Sequence, residues 1–304
     1  MKTESLPLRP ACSAPNAERE GHRITTVNFA GSSAARNHTP RIQVAAGDLP
    51  TVSKPLHRLF TWYSRRYLRR HFHSLRVSRA SALPVKTELP LVIYSNHASW
   101  WDPLVALVLA QEFLAGRSVF APIEAAALAR YGFFKRLGAF GVEQGTPHGA
   151  GQFLRRARRI LQKPENTLWL TPQSRFADTR ERPVRFKPGI GHLPRQVGPL
   201  CFVPVAMEYV FWEERLPEIL VLFGAPYETS PEKMPLTPAE WTEFFAGRLA
   251  ETQNALAAEA GGREPEKFQC LLRGSSGVGG VYDRWRALKA KARGQSFQAQ
   301  HGKL

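Results

Sequence analysis

Two periods alternate along this chain. Between residues 89 and 258, short apolar runs of strand length take turns with longer stretches at helical spacing. Residues 89–96 (LPLVIYSN) are a short apolar run with Pro90 near its start and polar residues after it, and they read as a buried strand. The same reading predicts strands at 118–123, 139–143, 167–171, 200–207 and 218–223. Helices are predicted at 103–115, 125–137, 150–163, 189–197 and 238–258, the last with Trp241, Phe244, Phe245 and Leu249 on one side. Asp102 is placed to cap the first of these, with Pro103 at its first position. Strands alternating with helices predict an α/β fold: a mostly parallel central sheet flanked by helices.

The pattern changes on either side of this body. Residues 54–76 keep helical spacing through Leu56, Leu59, Phe60, Tyr63, Tyr67 and Leu75, and arginines fill much of the remaining surface. A basic amphipathic helix rich in aromatics can lie in the headgroup plane of an anionic membrane, or pack on its own domain. Residues 1–53, rich in Ser, Ala, Pro, Asn and Gly, hold no apolar period and are expected to be disordered. Residues 274–280 read as a glycine-rich linker and 281–293 as a last basic helix. The expected organisation is a tail (1–53), a basic amphipathic helix (54–79), a globular domain (80–272) and a basic C-terminal tail (273–304).

Charge sharpens this division. The 304-residue chain carries a net charge of +17, and residues 54–79 contribute eight bases and no acid. Residues 80–272 are nearly neutral, whereas 273–304 hold seven bases against one acid. Within the body, 117–200 is basic and 201–272 acidic. Such polarity suggests a face turned towards an anionic partner. Three scattered cysteines (Cys12, Cys201, Cys270) give neither a disulfide framework nor a cysteine metal site. No apolar run approaches the ~20 residues that span a bilayer, and no secretory leader is evident. The nine histidines form no spaced cluster with other ligands, so no metal is expected. A nucleic-acid partner fits the basic arms, but no helix-turn-helix, finger or aromatic RNA-binding motif is evident and the body is neutral, so none is expected.

The segment richest in chemistry is Asn96-His97-Ala98-Ser99-Trp100-Trp101-Asp102-Pro103, where a predicted strand gives way to a helix. Open α/β sheets tend to bind ligands there. His97 and Asp102 would point apart on a regular helix, so they meet only if His97 lies in the loop and Asp102 at the helix start. A carboxylate on one imidazole nitrogen fixes the tautomer and leaves the other to take a proton. No serine or cysteine nucleophile is evident, so the pair suits deprotonation of a substrate hydroxyl. The plainer reading is a helix-capping aspartate beside a satisfied loop histidine.

Asn96, His97 and Asp102 match the N-H-x-x-x-x-D signature, and the chain resembles the glycerolipid acyltransferase family, the lysophosphatidate acyltransferase group. Residues 138–144 (GAFGVEQ), 170–175 (LTPQSR), 186–192 (FKPGIGH) and Val203-Pro204-Val205 resemble its later blocks in order. The resemblance spans roughly residues 55–225. It implies that His97 is the base and Asp102 its orienting partner. The acceptor's oxygen would attack the thioester of acyl-CoA or an acyl carrier protein, as co-substrate and with no cofactor. It also implies a membrane-associated helix before the first block, where 54–76 lies, and hence a peripheral position on the cytoplasmic face of an anionic membrane. Asn96, Gln144, Gln173, Ser174, Arg175, Lys187 and Gly189 are the implied substrate-binding positions. Here the chain departs from the pattern, with Gln144 for an arginine and Gln173 for a glutamate. Gln144 removes a charge that could hold phosphate bidentately. The expected acceptor is a lysophospholipid or related lipid. A non-phosphate glycolipid, a glycosylated isoprenoid, or an inactive lipid-binding scaffold are the alternatives.

Overall fold

The computed structural model describes residues 49–83, 87–230 and 236–276, together with Trp285, Leu288 and Lys289. The expected tail before residue 49 and nearly all of the expected helix 281–293 lie outside the described residues.

A nine-stranded sheet organises residues 74–273. Its strands are β1 (Ser74–Ser78), β2 (Leu91–Ser95), β3 (Ser118–Glu124), β4 (Ala139–Val142), β5 (Asn166–Leu170), β6 (Cys201–Val210), β7 (Glu218–Phe223), β8 (Tyr227–Glu228) and β9 (Phe268–Arg273). The spatial order is β4-β3-β5-β2-β6-β7-β1-β9, with β8 paired to the start of β6. The β4, β3, β5, β2 and β6 block is parallel throughout. β7 and β9 add antiparallel pairings. A strand buried on both faces must be apolar along its whole length, which is why Leu91–Tyr94 reads as an unbroken run.

Helices cover both faces. The α-helices are α1 (Lys54–His71), α2 (Asp102–Phe113), α3 (Ala125–Arg130), α4 (Pro147–Ile160), α5 (Leu193–Val197) and α6 (Pro238–Gly262). On one face, α1 and α2 pack Leu68, Val105, Val108 and Leu109 against Leu91, Ile93, Val203 and Val205. On the other, α4 and α6 pack Ile160, Phe245 and Leu249 against Val92, Tyr94, Leu168 and Phe202. β2 alternates between these two cores, Leu91 and Ile93 facing one and Val92 and Tyr94 the other. Thr237 and Glu240 close α6 with a reciprocal capping box. The 3-10 turn Ile190–His192 docks on the start of α6 through Gly191, where a Cβ would fall 2.0 Å from the Pro238 carbonyl.

Three expectations change. The helix expected over 54–76 ends at His71, and Ser74–Ser78 is a strand between β7 and β9. Arg76, read as helix surface, is 1 % exposed, with Nε 3.2 Å from Glu218 Oε2. Burial of that charge is possible only because its partner arrives from β7. The globular domain therefore begins before residue 80, and Arg273 closes its last strand. Gly274, placed in a linker, donates its N–H to the His73 carbonyl at 2.7 Å. The helix expected at 125–137 divides into α3 and a 3-10 turn, Gly132–Leu137.

α1 turns an unexpected side inward. Its buried positions are Thr61, Ser64 and Leu68, and both hydroxyls bond back to carbonyls four residues earlier. Small residues at this contact let α1 lie close to α2. Leu59, Trp62 and Tyr63 are left exposed, beside exposed Arg58, Arg66, Arg69 and Arg70. Among the described residues no helix is long and apolar enough to cross a membrane.

Candidate active site

β2 ends at the centre of the sheet, and the seven residues after it build the site. Asn96 is 1 % exposed; its Nδ2 donates to the Met207 carbonyl at 2.9 Å and its Oδ1 accepts the Met207 N–H at 2.8 Å. An amide carries both a donor and an acceptor, so it continues the β2–β6 ladder after the backbone has turned away. Asn96 is one of the implied substrate-binding positions. Both ends of its amide are engaged inside the sheet, and it presents no surface.

His97 is thereby released into the loop. Its N–H donates to Gln173 Oε1 at 3.0 Å, and its carbonyl accepts the Ala177 N–H at 2.9 Å. The segment after β5 thus brackets it from both sides. Its Nδ1 lies 2.7 Å from Asp102 Oδ2. A carboxylate can only accept, so Nδ1 carries the hydrogen and Nε2 keeps its lone pair. Nε2 has no hydrogen-bond partner among the described residues. The side chain is 22 % exposed and its ring centroid sits 4.5 Å from that of Phe176.

Asp102 does not cap α2 as expected. Trp101 holds the cap position, and Asp102 lies in the first turn with Pro103 following. Its carboxylate points back to the loop, where Oδ2 also accepts the Ser99 N–H at 3.0 Å. Oδ1 accepts the hydroxyl of Tyr209 at 2.5 Å. The residue is 2 % exposed, so its charge is met by three donors and by the positive end of α2. Burial chiefly, and the Asp102 charge next, push the Tyr209 phenol well above its usual range, so it remains a donor. Trp101 fixes the loop from outside, with its ring edge-on to Phe72 at 4.9 Å and 5.4 Å from Tyr67 on α1.

The remaining expected positions divide. Gln173 is 6 % exposed and holds the backbone of His97 rather than facing outward. A glutamate would accept the same N–H, so the glutamine keeps that contact and removes a charge. Ser174, left-handed at φ 53°, and Arg175 follow it at the surface. The Arg175 guanidinium is paired with Glu181. Lys187 is exposed, and its N–H returns to the Pro172 carbonyl at 2.8 Å. Gly189 is half-buried against Phe153. Gln144 is exposed in the turn between β4 and α4, at the same sheet edge. Three strand spacings, about 14 Å, separate β4 from β2.

Tyr209 and Phe176 were not expected at the site. The predicted strand stopped at residue 207, but β6 continues to Val210. Extending its alternation by one step puts Val205, Met207 and Tyr209 on the α2 face. Among the described residues no group of three or more His, Cys, Asp or Glu side chains is arranged to hold a metal ion.

The family model described as Acyltransferase matches residues 72–208, which run from just before β1 to near the end of β6. Among solved structures, the chain is similar to the crystal structure of the 1-acyl-sn-glycerophosphate (LPA) acyltransferase PlsC from Thermotoga maritima. That match has a TM-score of 0.45 and 12 % identity over 67 % of this chain and 79 % of that one. No curated protein matches the chain in sequence. The matched family model takes in the whole of the His97–Asp102 site: residues 72–208 are an acyltransferase domain, and the chain is an acyltransferase.

Proposed function

We propose that this acyltransferase is a membrane-peripheral O-acyltransferase. It moves a fatty acyl group from acyl-CoA or an acyl carrier protein to a hydroxyl of a lysophospholipid or related lipid. The observation that carries the reading is the 2.7 Å contact between His97 Nδ1 and Asp102, which leaves Nε2 as an open acceptor at the sheet edge. Nε2 takes the proton of the acceptor hydroxyl as its oxygen attacks the thioester carbonyl. The tetrahedral intermediate collapses, the C–S bond breaks, and the imidazolium returns its proton to the leaving thiolate. Asp102 holds the ring by its Nδ1 hydrogen and stabilises the imidazolium. A positioned base of this kind contributes about 10²–10⁴-fold in rate.

The membrane part of the reading is supported by α1, whose exposed side combines Leu59, Trp62 and Tyr63 with four arginines. The same helix packs on α2, and Tyr67 meets Trp101 next to the site. A lipid acceptor held at that surface would already be near His97. The cytoplasmic face is the side on which acyl-CoA and acyl carrier proteins are found.

The test is thiol release from palmitoyl-CoA by the full chain on liposomes, offered lysophosphatidate, other lysophospholipids and hydroxylated glycolipids in turn. Acceptor-dependent release that disappears in His97→Ala, with an unchanged melting temperature, is the expected result. A His97→Ala protein that keeps turning over would remove the base assignment.

A further inference from the structure

A second exposed aromatic surface lies beside α1. The segment expected as one helix over 125–137 breaks at Tyr131, and the 3-10 turn that follows lifts side chains away from the sheet. Leu128 and Leu137 are buried on either side of the break, whereas Tyr131 is 45 % exposed and Phe133 42 %. The turn is tied down at its end. The Ser53 N–H, just before α1, donates to the Arg136 carbonyl at 2.9 Å. Gly138 is left-handed at φ 96°, and a Cβ there would fall 2.2 Å from the Val119 carbonyl of β3.

These rings join those of α1. Half-buried Phe60 has its ring 5.6 Å from that of Phe133 and 5.8 Å from that of Tyr63. Tyr63 stacks on Tyr67 at 5.6 Å, and Tyr67 in turn meets Trp101. An unbroken row of ring contacts therefore runs from the turn, along α1, to the residue before Asp102. Single exposed apolar side chains are ordinary, but a contiguous patch marks an interaction surface.

The charge on this surface selects its partner. Arg130, Lys135 and Arg136 are exposed in and beside the turn, and no acid stands between Glu124 and Glu143. The Arg130 guanidinium lies 5.4 Å over the Tyr131 ring. α1 adds its four exposed arginines and no acid. Two copies of this face would set cations against cations, which disfavours self-association. Aromatic rings at headgroup depth, with basic side chains among anionic lipids, make a membrane interface.

We propose that the turn over residues 131–136 is a second membrane-contact element, which enters an anionic lipid surface together with the exposed side of α1. This contact rests on the membrane part of the proposed function and extends it. A lone helix lying in the interface is free to roll about its own axis. A second contact to one side of it, joined through Ser53 and Phe60, removes that freedom. The acyltransferase domain then stands on the membrane in one orientation, with the Trp101 loop at a fixed height.

The test is hydrogen exchange of the full chain on vesicles of equal parts phosphatidylglycerol and phosphatidylcholine, read separately for the amides of 131–136 and of α1. Cosedimentation is measured in parallel. Both segments are expected to exchange more slowly on vesicles than in solution. Tyr131→Ser/Phe133→Ser is expected to bind the vesicles about tenfold more weakly, from the lost apolar area. Arg130→Gln/Lys135→Gln is expected to bind about thirtyfold more weakly at low salt, and to differ little from wild type on phosphatidylcholine alone. The second pair changes only exposed side chains, so it decides the matter if the first melts early. Slowed exchange in α1 alone, with both turn variants binding like wild type, overturns the second contact and leaves the membrane reading standing. Unchanged exchange in both segments, with no cosedimentation, sinks the membrane reading itself. Protection of the turn by duplex DNA and not by vesicles would assign the surface to nucleic acid, and protection that rises with protein concentration alone would assign it to a second copy; either overturns the proposal.

Discussion

Tyr209 donates its hydroxyl to Asp102 Oδ1 at 2.5 Å across a sequence separation of 107 residues. The other oxygen of the same carboxylate receives the imidazole at 2.7 Å. The two donors therefore compete for one buried charge. A hydrogen bond from the phenol draws electron density from the carboxylate and tempers the pull of Asp102 on the imidazole proton. It also fixes the plane of the carboxylate, and through it the ring of His97. Under the proposed role of His97, Tyr209 is a positioning residue that acts through Asp102.

Removing only the hydroxyl, in Tyr209→Phe, tests that role. Without the phenol, the Asp102 carboxylate keeps its bonds from His97 and Ser99 but loses the one that holds Oδ1. The maximal rate should fall a few-fold as the carboxylate loses its fixed plane. The Phe72 contact at 5.7 Å needs only the ring and is kept. An unchanged kcat with a lowered melting temperature would leave Tyr209 as packing alone.

Asn96 and His97 are neighbours in sequence with opposite expected behaviour. Asn96→Ala would leave the buried N–H and C=O of Met207 without their side-chain partner. That should destabilise the protein by about 2–4 kcal/mol, read from urea unfolding, with activity falling alongside. If Asn96→Ala instead unfolded like wild type while activity vanished, the side chain would be touching substrate rather than tying β2 to β6.

The parts of the fold written in local patterns were legible, and the parts fixed by distant partners were not. The parallel strands announce themselves because burial on both faces requires an unbroken apolar run, as in Leu91–Tyr94. β1 carries Ser74, Arg76 and Ser78, and only Glu218, 142 residues from Arg76, makes that sequence a buried strand. β9 exposes Gln269 and Cys270 at the sheet edge and offers no clean alternation. The same division runs through the site. His97 and Asp102 are legible because a short spacing and a proline fix the turn that joins them. Tyr209 is brought in by β6, one step of alternation beyond the end of the predicted strand, and its carboxylate partner lies 107 residues away.

The buried cluster that hides β1 is itself testable. Arg76 Nε lies 3.2 Å from Glu218, Ser74 Oγ also donates to that carboxylate, and His73 Nε2 is 3.8 Å away. The Arg76 guanidinium sits 5.6 Å over the Trp212 ring. Arg76→Met removes the cation and leaves the Glu218 carboxylate buried, so a loss of about 3–5 kcal/mol is expected. Adding Glu218→Gln should recover part of that loss, because the stranded charge is gone. A double variant no more stable than Arg76→Met in chemical denaturation would mean that the cost lies in packing around Trp212.

The exposed side of α1 makes the membrane reading quantitative. Leu59 and Trp62 are each 61 % exposed, so replacing them with serine removes no core contact. Leu59→Ser/Trp62→Ser should therefore melt like wild type. Its cosedimentation with anionic vesicles should fall by about tenfold or more, since two large apolar side chains no longer enter the interface. Arg66→Gln/Arg70→Gln should weaken binding to anionic vesicles by about 2 kcal/mol at low salt, at roughly 1 kcal/mol per arginine, with little change on neutral vesicles. Palmitoyl transfer to a water-soluble short-chain acceptor should be unaffected by either pair, because neither touches His97 or Asp102. Transfer to an acceptor embedded in vesicles should fall in proportion to binding. Should both pairs bind vesicles like wild type, α1 would be a surface helix of its own domain, with its aromatic side facing another partner.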